Sequence, residues 1–215
     1  ILKQNIDFNS IDSILISHFH ADHFSGLPSL LTQMKLLSRK NDLTIFVHSS
    51  EKDFLEDFIF HSYLFKERIT FDLKMISFDV EIEIKVSEKF CFVSKLNSHL
   101  DKYKKYDSEY KLGFTSLSFY FKDDENSVIY SGDVGSENDL YLFDQKVDWF
   151  ITETTHIKKE NVLELLEKSD PKEIILTHIG DAFAKPLNEF RQSLPNHIKS
   201  RIILAFDGFE LNQYH

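Results

Sequence analysis

Three histidines and one aspartate fall within six residues, directly after a short apolar run, and this cluster constrains the fold more than any other feature of the chain. The cluster HFHADH spans residues 18–23 and follows the run SILIS at residues 13–17. Such a β-branched run is typical of a buried strand that ends at a turn. Imidazole and carboxylate groups suit Zn²⁺, Mn²⁺ or Fe²⁺. The cluster therefore predicts a metal site at a strand end, the alternative being three solvated loop histidines.

Length, charge and cysteine content limit what the chain can be. Its 215 residues, 42% of them hydrophobic, suffice for one sizeable core, so we expect a single domain over residues 1–215. The formal net charge of −10 argues against binding long nucleic acids, which it would repel. The single Cys91 cannot form an internal disulfide, and no signal peptide or membrane-length apolar run is present. These features predict a cytoplasmic protein with no membrane partner.

Hydrophobic periodicity divides the chain into three parts. The first and last thirds alternate strands with helices, whereas an apolar period of two between residues 73 and 121 predicts antiparallel sheet. A helix is expected to begin after Ser50, with Ser50 and Asp53 as its cap. The other predicted helices are at 29–37 and 159–168, and the predicted strands are at 13–17, 43–48, 80–86, 89–94, 117–121, 127–130, 148–151, 173–177 and 201–206.

Three later strands also end near a residue that can bind a metal. His99 comes after the run at 92–96, Asp133 after the run at 128–130, and His178 after the run at 174–176. Because strand ends on one rim of a sheet converge, residues far apart in sequence can complete one site. Alone, each would be an ordinary loop or core histidine or a turn aspartate. Together with the cluster they favour a shared metal centre.

These motifs resemble the metallo-β-lactamase superfamily, and within it the branch of ribonuclease Z and related phosphodiesterases. The resemblance rests on the histidine cluster, His99, SGD at 131–133, LTH at 176–178 and AFDG at 205–208, and it runs from residue 11 to about residue 211. It implies an α/β (α+β) fold, a four-layer αββα sandwich with metals at one edge between two sheets. Family members place several strands before the first histidine motif, so we expect further N-terminal strands before Ile1.

Carried over motif by motif, the resemblance implies two divalent metal ions, zinc first and manganese or iron as alternatives. Two such cations generate a hydroxide nucleophile between them and stabilise a phosphoryl centre. Asp22 would orient this nucleophile and accept its proton. The implied ligands are His18, His20 and His99 on one ion, Asp22, His23 and His178 on the other, and Asp133 on both.

Two departures from the ribonuclease Z pattern bear on the substrate. His99 and Asp133 are only 34 residues apart, which leaves no room for the long RNA-gripping arm usual in that branch. The branch's His-Glu-Ala-Thr box corresponds to TETT at residues 152–155, where Thr152 replaces the histidine. His156 can assist the leaving group in its place, or it has no role. We therefore expect a small phosphodiester, such as a cyclic nucleotide or short oligonucleotide, as substrate.

Other functions fit the same residues. A tRNA 3′-processing-type endoribonuclease is one alternative, and hydrolysis of a thioester, lactone or β-lactam on the same site is another. A non-catalytic metal-binding subunit is the alternative outside enzymes. The stretch at 101–111, rich in lysine and tyrosine, is either a solvated loop or a lid that meets a phosphate or base. The resembling branch also implies a homodimer.

Overall fold

Ten strands and six α-helices make up the part of the chain that the computed structural model describes, residues 6–109 and 111–211. The strands are β1 (Ser13–Leu15), β2 (Leu43–His48), β3 (Leu73–Phe78), β4 (Ile84–Lys85), β5 (Cys91–Leu96), β6 (Leu117–Lys122), β7 (Ser127–Tyr130), β8 (Trp149–Glu153), β9 (Glu173–Thr177) and β10 (Ile202–Leu204). The helices are α1 (Ala21–Phe24), α2 (Leu27–Leu36), α3 (Lys52–His61), α4 (Lys159–Lys168), α5 (Asp181–Ser193) and α6 (Asn196–Lys199). Within these ranges, no helix has the length and hydrophobicity needed to cross a bilayer.

Two sheets pack against each other through a layer of aromatic side chains. The first sheet has the parallel strand order β1-β2-β3, and the second has the order β10-β9-β8-β7-β6-β5-β4. Phe46 and Phe78 of the first sheet meet Phe92, Leu117 and Phe119 of the second. The rings of Phe46 and Phe92 lie edge to face with centroids 5.6 Å apart, a favoured aromatic geometry. This contact forms the core between the sheets.

Helices cover the outer face of each sheet. Leu31 and Met34 of α2 and Leu55 of α3 are fully buried against the first sheet. Leu165 of α4 is equally buried in the cluster that contains Phe150 of the second sheet. The layers therefore follow the order helix, sheet, sheet, helix. The predicted four-layer αββα sandwich is confirmed.

Several elements begin and end at the predicted residues. β2, β7, β9 and α4 match the predicted boundaries, because each is a regular apolar pattern flanked by polar residues. No prediction was made for α5, whose sequence contains Pro186 and which has no fully buried residue. A proline inside a segment is a signal against a continuous helix, so the sequence here did not favour one.

The prediction for the middle of the chain is partly wrong. β3 pairs in parallel with β2, with Leu73 beside Leu43, because α3 returns the chain between the two strands. Residues 80–86 contribute only the two-residue strand β4, since Glu81 has a left-handed φ of 63° and the chain turns there. In the described part of the chain, antiparallel pairing links β4 to β5, β5 to β6 and β6 to β7.

The predicted cap of α3 is also wrong. The residue before α3 is Glu51, and its side chain makes no capping hydrogen bond. Ser50 belongs instead to a 3₁₀ turn at Ser49–Glu51. Its hydroxyl lies 2.8 Å from the hydroxyl of Thr115, two residues before β6 of the second sheet. Ser50 therefore joins the two halves of the sandwich, a contact that local spacing does not indicate.

Candidate metal centre

The predicted ligands meet at one edge of the sandwich, where strands of both sheets end. The histidine cluster follows β1 and continues into α1, while the other ligands follow β5, β7 and β9. Backbone contacts join the sheets at this edge. The N–H of Leu117 donates to the carbonyl of Ser17 at 3.1 Å, and His18 forms an isolated bridge with Ser116. These contacts bring ligands from the two sheets into one place.

His18, His20 and His99 point ring nitrogens at a common position. The Nε2 atoms of His18 and His99 each lie 3.2 Å from Nδ1 of His20. Tetrahedral nitrogen ligands at about 2.0–2.1 Å from Zn²⁺ would be about 3.3 Å from one another. The observed spacing therefore fits three imidazoles around one small cation.

Burial keeps these three imidazoles neutral, the form that binds metals. Burial, followed by the charge of neighbouring His23, lowers the pKa of His18 to about 3. Burial also lowers the pKa of His20 and the pKa of His99. Nδ1 of His99 donates to the carbonyl of Val134 at 3.2 Å. This bond orients the ring and leaves Nε2 with a free lone pair.

Asp133 lies between two groups of histidines. Its Oδ2 is 3.4 Å from Nε2 of His23 and 3.8 Å from Nε2 of His99, while Oδ1 is 3.6 Å from Nδ1 of His178. Burial raises the pKa of Asp133, but the hydrogen bond from His23 and the charges of His23, His178 and His18 together outweigh it, and the pKa falls to about 2. The same bond raises the pKa of His23. An ionised carboxylate that faces both groups is suited to bridge two cations.

Asp22 forms a further group with His23 and His178. The ligand atoms of these three residues all lie within 4.8 Å of one another, and Oδ2 of Asp22 is 3.6 Å from Nε2 of His23. The side chain of Asp22 is 71% exposed, so this carboxylate is open to solvent. His178 has a left-handed φ of 51°, which is uncommon for histidine and typical of functional sites. Other groups of potential ligands at the same place are His18, His23 and Asp133, and His99, Asp133 and His156.

His156 lies beside the same centre. Its ring centroid is 4.9 Å from that of His99, and its Nδ1 is 3.0 Å from Oε1 of Glu153. Glu153 is buried and also accepts the backbone N–H groups of His156, at 2.8 Å, and Thr155. Thr152 is buried and bonded to Ser131 by their hydroxyls at 2.9 Å. A single carboxylate therefore fixes both the loop and the ring of His156.

Asp139, which no sequence motif singled out, holds together the loops that contain His99 and Asp133. Its carboxylate accepts hydrogen bonds from the backbone N–H and the hydroxyl of Ser98, next to His99. It also accepts the N–H groups of Gly135 and Ser136, at 2.8 and 3.1 Å. A side chain on Gly135 would collide with the carbonyl of Ser98. The Ser136-x-x-Asp139 spacing is the available sequence signal, since it is that of a capping box.

Asn97 is a second buried residue without a sequence prediction. Its side chain donates to the carbonyl of Ser131 at 3.2 Å and accepts the backbone N–H of His99 at 3.1 Å. One amide thus connects the end of β5 to the end of β7. The donors gathered at this edge are imidazoles and carboxylates, and they fit divalent ions of the Zn²⁺, Mn²⁺ or Fe²⁺ type.

The sequence of this chain is similar to those of known proteins. The β-lactamase superfamily domain matches residues 2–179. The ribonuclease Z of Picrophilus torridus is 23% identical over 261 aligned positions, covering 96% of this chain and 82% of that protein. The ribonuclease Z of Methanosarcina mazei is 51% identical over 58 residues, which are 27% of this chain and 19% of that protein.

Two crystal structures have a similar fold. The metallo-β-lactamase fold protein YhfI from Bacillus subtilis has a TM-score of 0.67 at 18% identity, covering 97% of this chain and 80% of that one. Human tRNase Z, short form (ELAC1), has a TM-score of 0.66 at 19% identity, covering 97% of this chain and 81% of that one. At this level of identity, the likeness establishes the fold.

Proposed function

Because the chain belongs to the β-lactamase superfamily, we propose that it is a metal-dependent hydrolase with two divalent ions that cleaves a small phosphodiester, such as a cyclic nucleotide or short oligonucleotide. The observation that carries this proposal is the position of Asp133. Its carboxylate lies 3.8 Å from Nε2 of His99, which is assigned to one ion, and 3.4 and 3.6 Å from His23 and His178, which are assigned to the other. A carboxylate shared in this way is what a two-ion centre requires.

The proposed ligands form two sets, one for each ion, with one residue shared. His18, His20 and His99 would bind one ion, while Asp22, His23 and His178 would bind the second and Asp133 both. Once bound, divalent cations lower the pKa of water toward neutrality and offset charge on a phosphoryl group. The lowered pKa values of His18, His20 and His99 and the ionised Asp133 mean that these residues require little reorganisation for this purpose.

Asp22 is the proposed proton acceptor. Its carboxylate is 3.6 Å from Nε2 of His23 and is exposed at the open side of the centre. A carboxylate in this position can accept the proton of an attacking water and pass it to solvent. Asp133, by contrast, is only 5% exposed, so it holds its place between the histidines.

His156 is the proposed proton donor to the leaving oxygen. Nδ1 of His156 is bonded to Glu153 at 3.0 Å, which leaves Nε2 as the free nitrogen. The buried Glu153 accepts a hydrogen bond from Nδ1 and orients the ring, so Nε2 would be the nitrogen that donates the proton. His156 would thus supply the acid, although Thr152 occupies the position at which the ribonuclease Z branch has its histidine.

The segment between His99 and Asp133 supports a small substrate. In the described residues of this segment, the chain forms a 3₁₀ helix at Asp101–Tyr106 and then enters β6 and β7. Tyr110 lies outside the described residues. A segment this short adds no extended arm to grip a folded RNA, and the net charge of −10 opposes long polyanions.

Hydrolysis of bis(p-nitrophenyl) phosphate and of cyclic nucleotides by the zinc- or manganese-loaded protein tests the proposal. Activity should depend on added metal and fall by at least three orders of magnitude in Asp133→Asn. The exposed Asp144 offers a matched control, and Asp144→Asn should keep full activity. Turnover of lactones, thioesters or nitrocefin without turnover of any phosphodiester would overturn the proposal.

A second candidate is endonucleolytic processing of precursor tRNA. It is favoured by the similarity to ribonuclease Z proteins, one of which aligns with 96% of this chain. Comparing kcat/KM on a precursor tRNA and on a dinucleotide separates the two candidates. We expect the dinucleotide to be the better substrate, and a preference for the precursor would favour the second candidate.

A further inference from the structure

We propose that a cavity next to the metal centre binds a nucleobase of the substrate and selects bases that carry an exocyclic amino group. This inference rests on the proposed function and deepens it. The cavity has a volume of about 530 Å³ and includes His20 in its wall. Its volume is in the range of small-ligand sites. The side chains that form its apolar surface are Phe19, Leu100, Tyr103, Tyr106, Leu112 and Phe114.

The cavity adjoins the candidate metal centre directly. The ring of Tyr103 packs edge to face on the ring of His20, with centroids 5.3 Å apart. Nδ1 of the same His20 lies 3.2 Å from both neighbouring ligand nitrogens. A phosphate at the metal centre would therefore be within one sugar of the cavity, which is the separation of phosphate and base in a nucleotide.

The exposed aromatic side chains at this cavity favour stacking with a base. Tyr106 is 74% exposed and Leu112 is 65% exposed, so these side chains leave apolar surface in contact with water. Aromatic rings of this kind are the usual stacking partners of nucleobases. Nζ of Lys102 lies 5.2 Å from the ring of Tyr103, and Nζ of Lys105 lies 5.0 Å from that of Tyr106. These ammonium groups add local positive charge that suits a phosphate.

Two carboxylates in the wall favour bases that donate hydrogen bonds. Asp107 uses Oδ2 to accept the N–H of Leu112 at 2.8 Å, which leaves Oδ1 for a ligand. Glu51 accepts only a long bond from Ser50, at 3.3 Å, among the described residues. Carboxylates accept hydrogen bonds and do not donate them. The 6-amino group of adenine and the 4-amino group of cytosine match them, whereas the 4-carbonyl of uracil at the corresponding position would be repelled.

The backbone of the cavity wall is strained where it faces Glu51. Phe114 has a left-handed φ of 50°, which is rare for an aromatic residue and typical of binding sites. A Cβ on Gly113 would lie 2.5 Å from Oε1 of Glu51 and 2.9 Å from Oγ of Ser50. Glycine therefore lets this segment pack closely against the carboxylate. The wall is built around the position of Glu51.

Nucleoside binding tests the cavity without relying on activity. Adenosine, cytidine and uridine are titrated into the full ¹⁵N-labelled chain, and the amide shifts of Gly113 and Phe114 are followed. We expect saturable shifts with adenosine and cytidine and at least tenfold weaker binding of uridine. Replacing both Tyr103 and Tyr106 by Ala should weaken adenosine binding on the order of tenfold. Phe60→Ala is the matched control, because Phe60 is exposed and lines a different cavity.

Glu51→Gln tests the amino-group preference. The new amide can donate to the uracil carbonyl, so the ratio of adenosine to uridine affinity should fall toward one. Uridine binding as tightly as adenosine to the original chain would overturn the preference. Hydrolysis of bis(p-nitrophenyl) phosphate without any nucleoside-induced shift would overturn the cavity proposal and leave the proposed function intact. Nucleoside binding by a protein that hydrolyses no phosphodiester would support the cavity and overturn the proposed function.

Discussion

At the scale of single residues, a His156 variant tests proton donation to the leaving group separately from metal binding. Replacing His156 by Gln should lower kcat/KM by about 10²–10³-fold for a substrate whose leaving group is a sugar hydroxyl. The p-nitrophenyl ester should lose far less, because its phenolate leaves without a proton. Parallel kinetics on the two substrates measure the difference. The exposed His61 provides a control in His61→Gln, and an equal loss on both substrates in His156→Gln would contradict the acid role.

Asp148 carries a pH dependence that is independent of the metal centre. Its carboxylate accepts the N–H and hydroxyl of Ser127, at 2.8 and 2.9 Å, and forms an ion pair with Lys172. Burial raises the pKa of Asp148, but the bonds from Lys172 and Ser127 outweigh it and hold the pKa below the ordinary value of 3.8. A lowered folded-state pKa stabilises the native state above the unfolded-state pKa, and this contribution is lost as pH falls through the folded-state pKa.

Asp148→Asn should therefore lower the free energy of unfolding by about 1–2 kcal/mol near neutral pH. The difference from the unchanged chain should shrink as pH falls below about 4, where the carboxylate becomes protonated in the unfolded state. Urea unfolding followed by circular dichroism at a series of pH values measures this difference. A difference that stayed constant down to the lowest pH would contradict the assignment.

At the scale of elements, the metal centre depends on loops that follow strands rather than on the strands themselves. Asp139 ties the loop after β5 to the loop after β7 through four backbone and side-chain donors. Replacing Asp139 by Asn puts an NH₂ group, which cannot accept these hydrogen bonds, in place of one carboxylate oxygen. The variant should lose about 2 kcal/mol of stability. It should also bind zinc more weakly, because His99 lies in one of the two loops.

Zinc titration against a competing chelator, together with urea unfolding, measures both effects of Asp139→Asn. Asp139 lies in a 3₁₀ helix at Glu137–Tyr141, and Asp144 lies in the exposed stretch after it, so Asp144→Asn is the matched control and should change neither quantity. Unchanged zinc affinity in a destabilised Asp139→Asn protein would mean that the loops hold His99 in place without this carboxylate.

Features that depend on neighbouring residues could be predicted from the sequence, whereas contacts between distant residues could not. His18, His99 and Asp133 could be anticipated because each lies shortly after a local apolar run, so a strand end and a ligand are close in sequence. Asp139 acts on Ser98 across 41 residues, and no local pattern encodes such a contact. The parallel pairing of β3 likewise depends on where α3 returns the chain. Alternation of apolar residues predicts a strand but not its partner.

At the scale of the whole molecule, the candidate metal centre lies where the two sheets meet. His18, His20 and His23 come from the loop and the short helix α1 after β1 of the first sheet, and His99 and Asp133 come from loops of the second. The four-layer order could be predicted from the resemblance, since the motifs run in the family order. The packing between the sheets, led by Phe46 and Phe92, could not, because it depends on which faces meet.

Zinc should therefore stabilise the fold as a whole. At free zinc one hundred times the dissociation constant, the gain in free energy of unfolding should be about 2.7 kcal/mol, provided that the unfolded chain binds no zinc. Thermal unfolding with zinc and with a chelator measures the gain. His99→Ala should lose most of it, whereas His61→Ala should retain it. Equal stabilisation of both variants by zinc would show that the ion binds elsewhere.

The 3₁₀ helix at Asp101–Tyr106 is a part of the chain that evolution can alter without disturbing the candidate metal centre. Every residue from Asp101 to Tyr106 is exposed, and the described ion pair of Lys104 is with Asp101 in the same turn. The metal ligands, in contrast, are held by buried side chains such as Asn97 and Asp139. During evolution, this turn could therefore lengthen or shorten and change the range of substrates, while the residues of the candidate metal centre stayed the same.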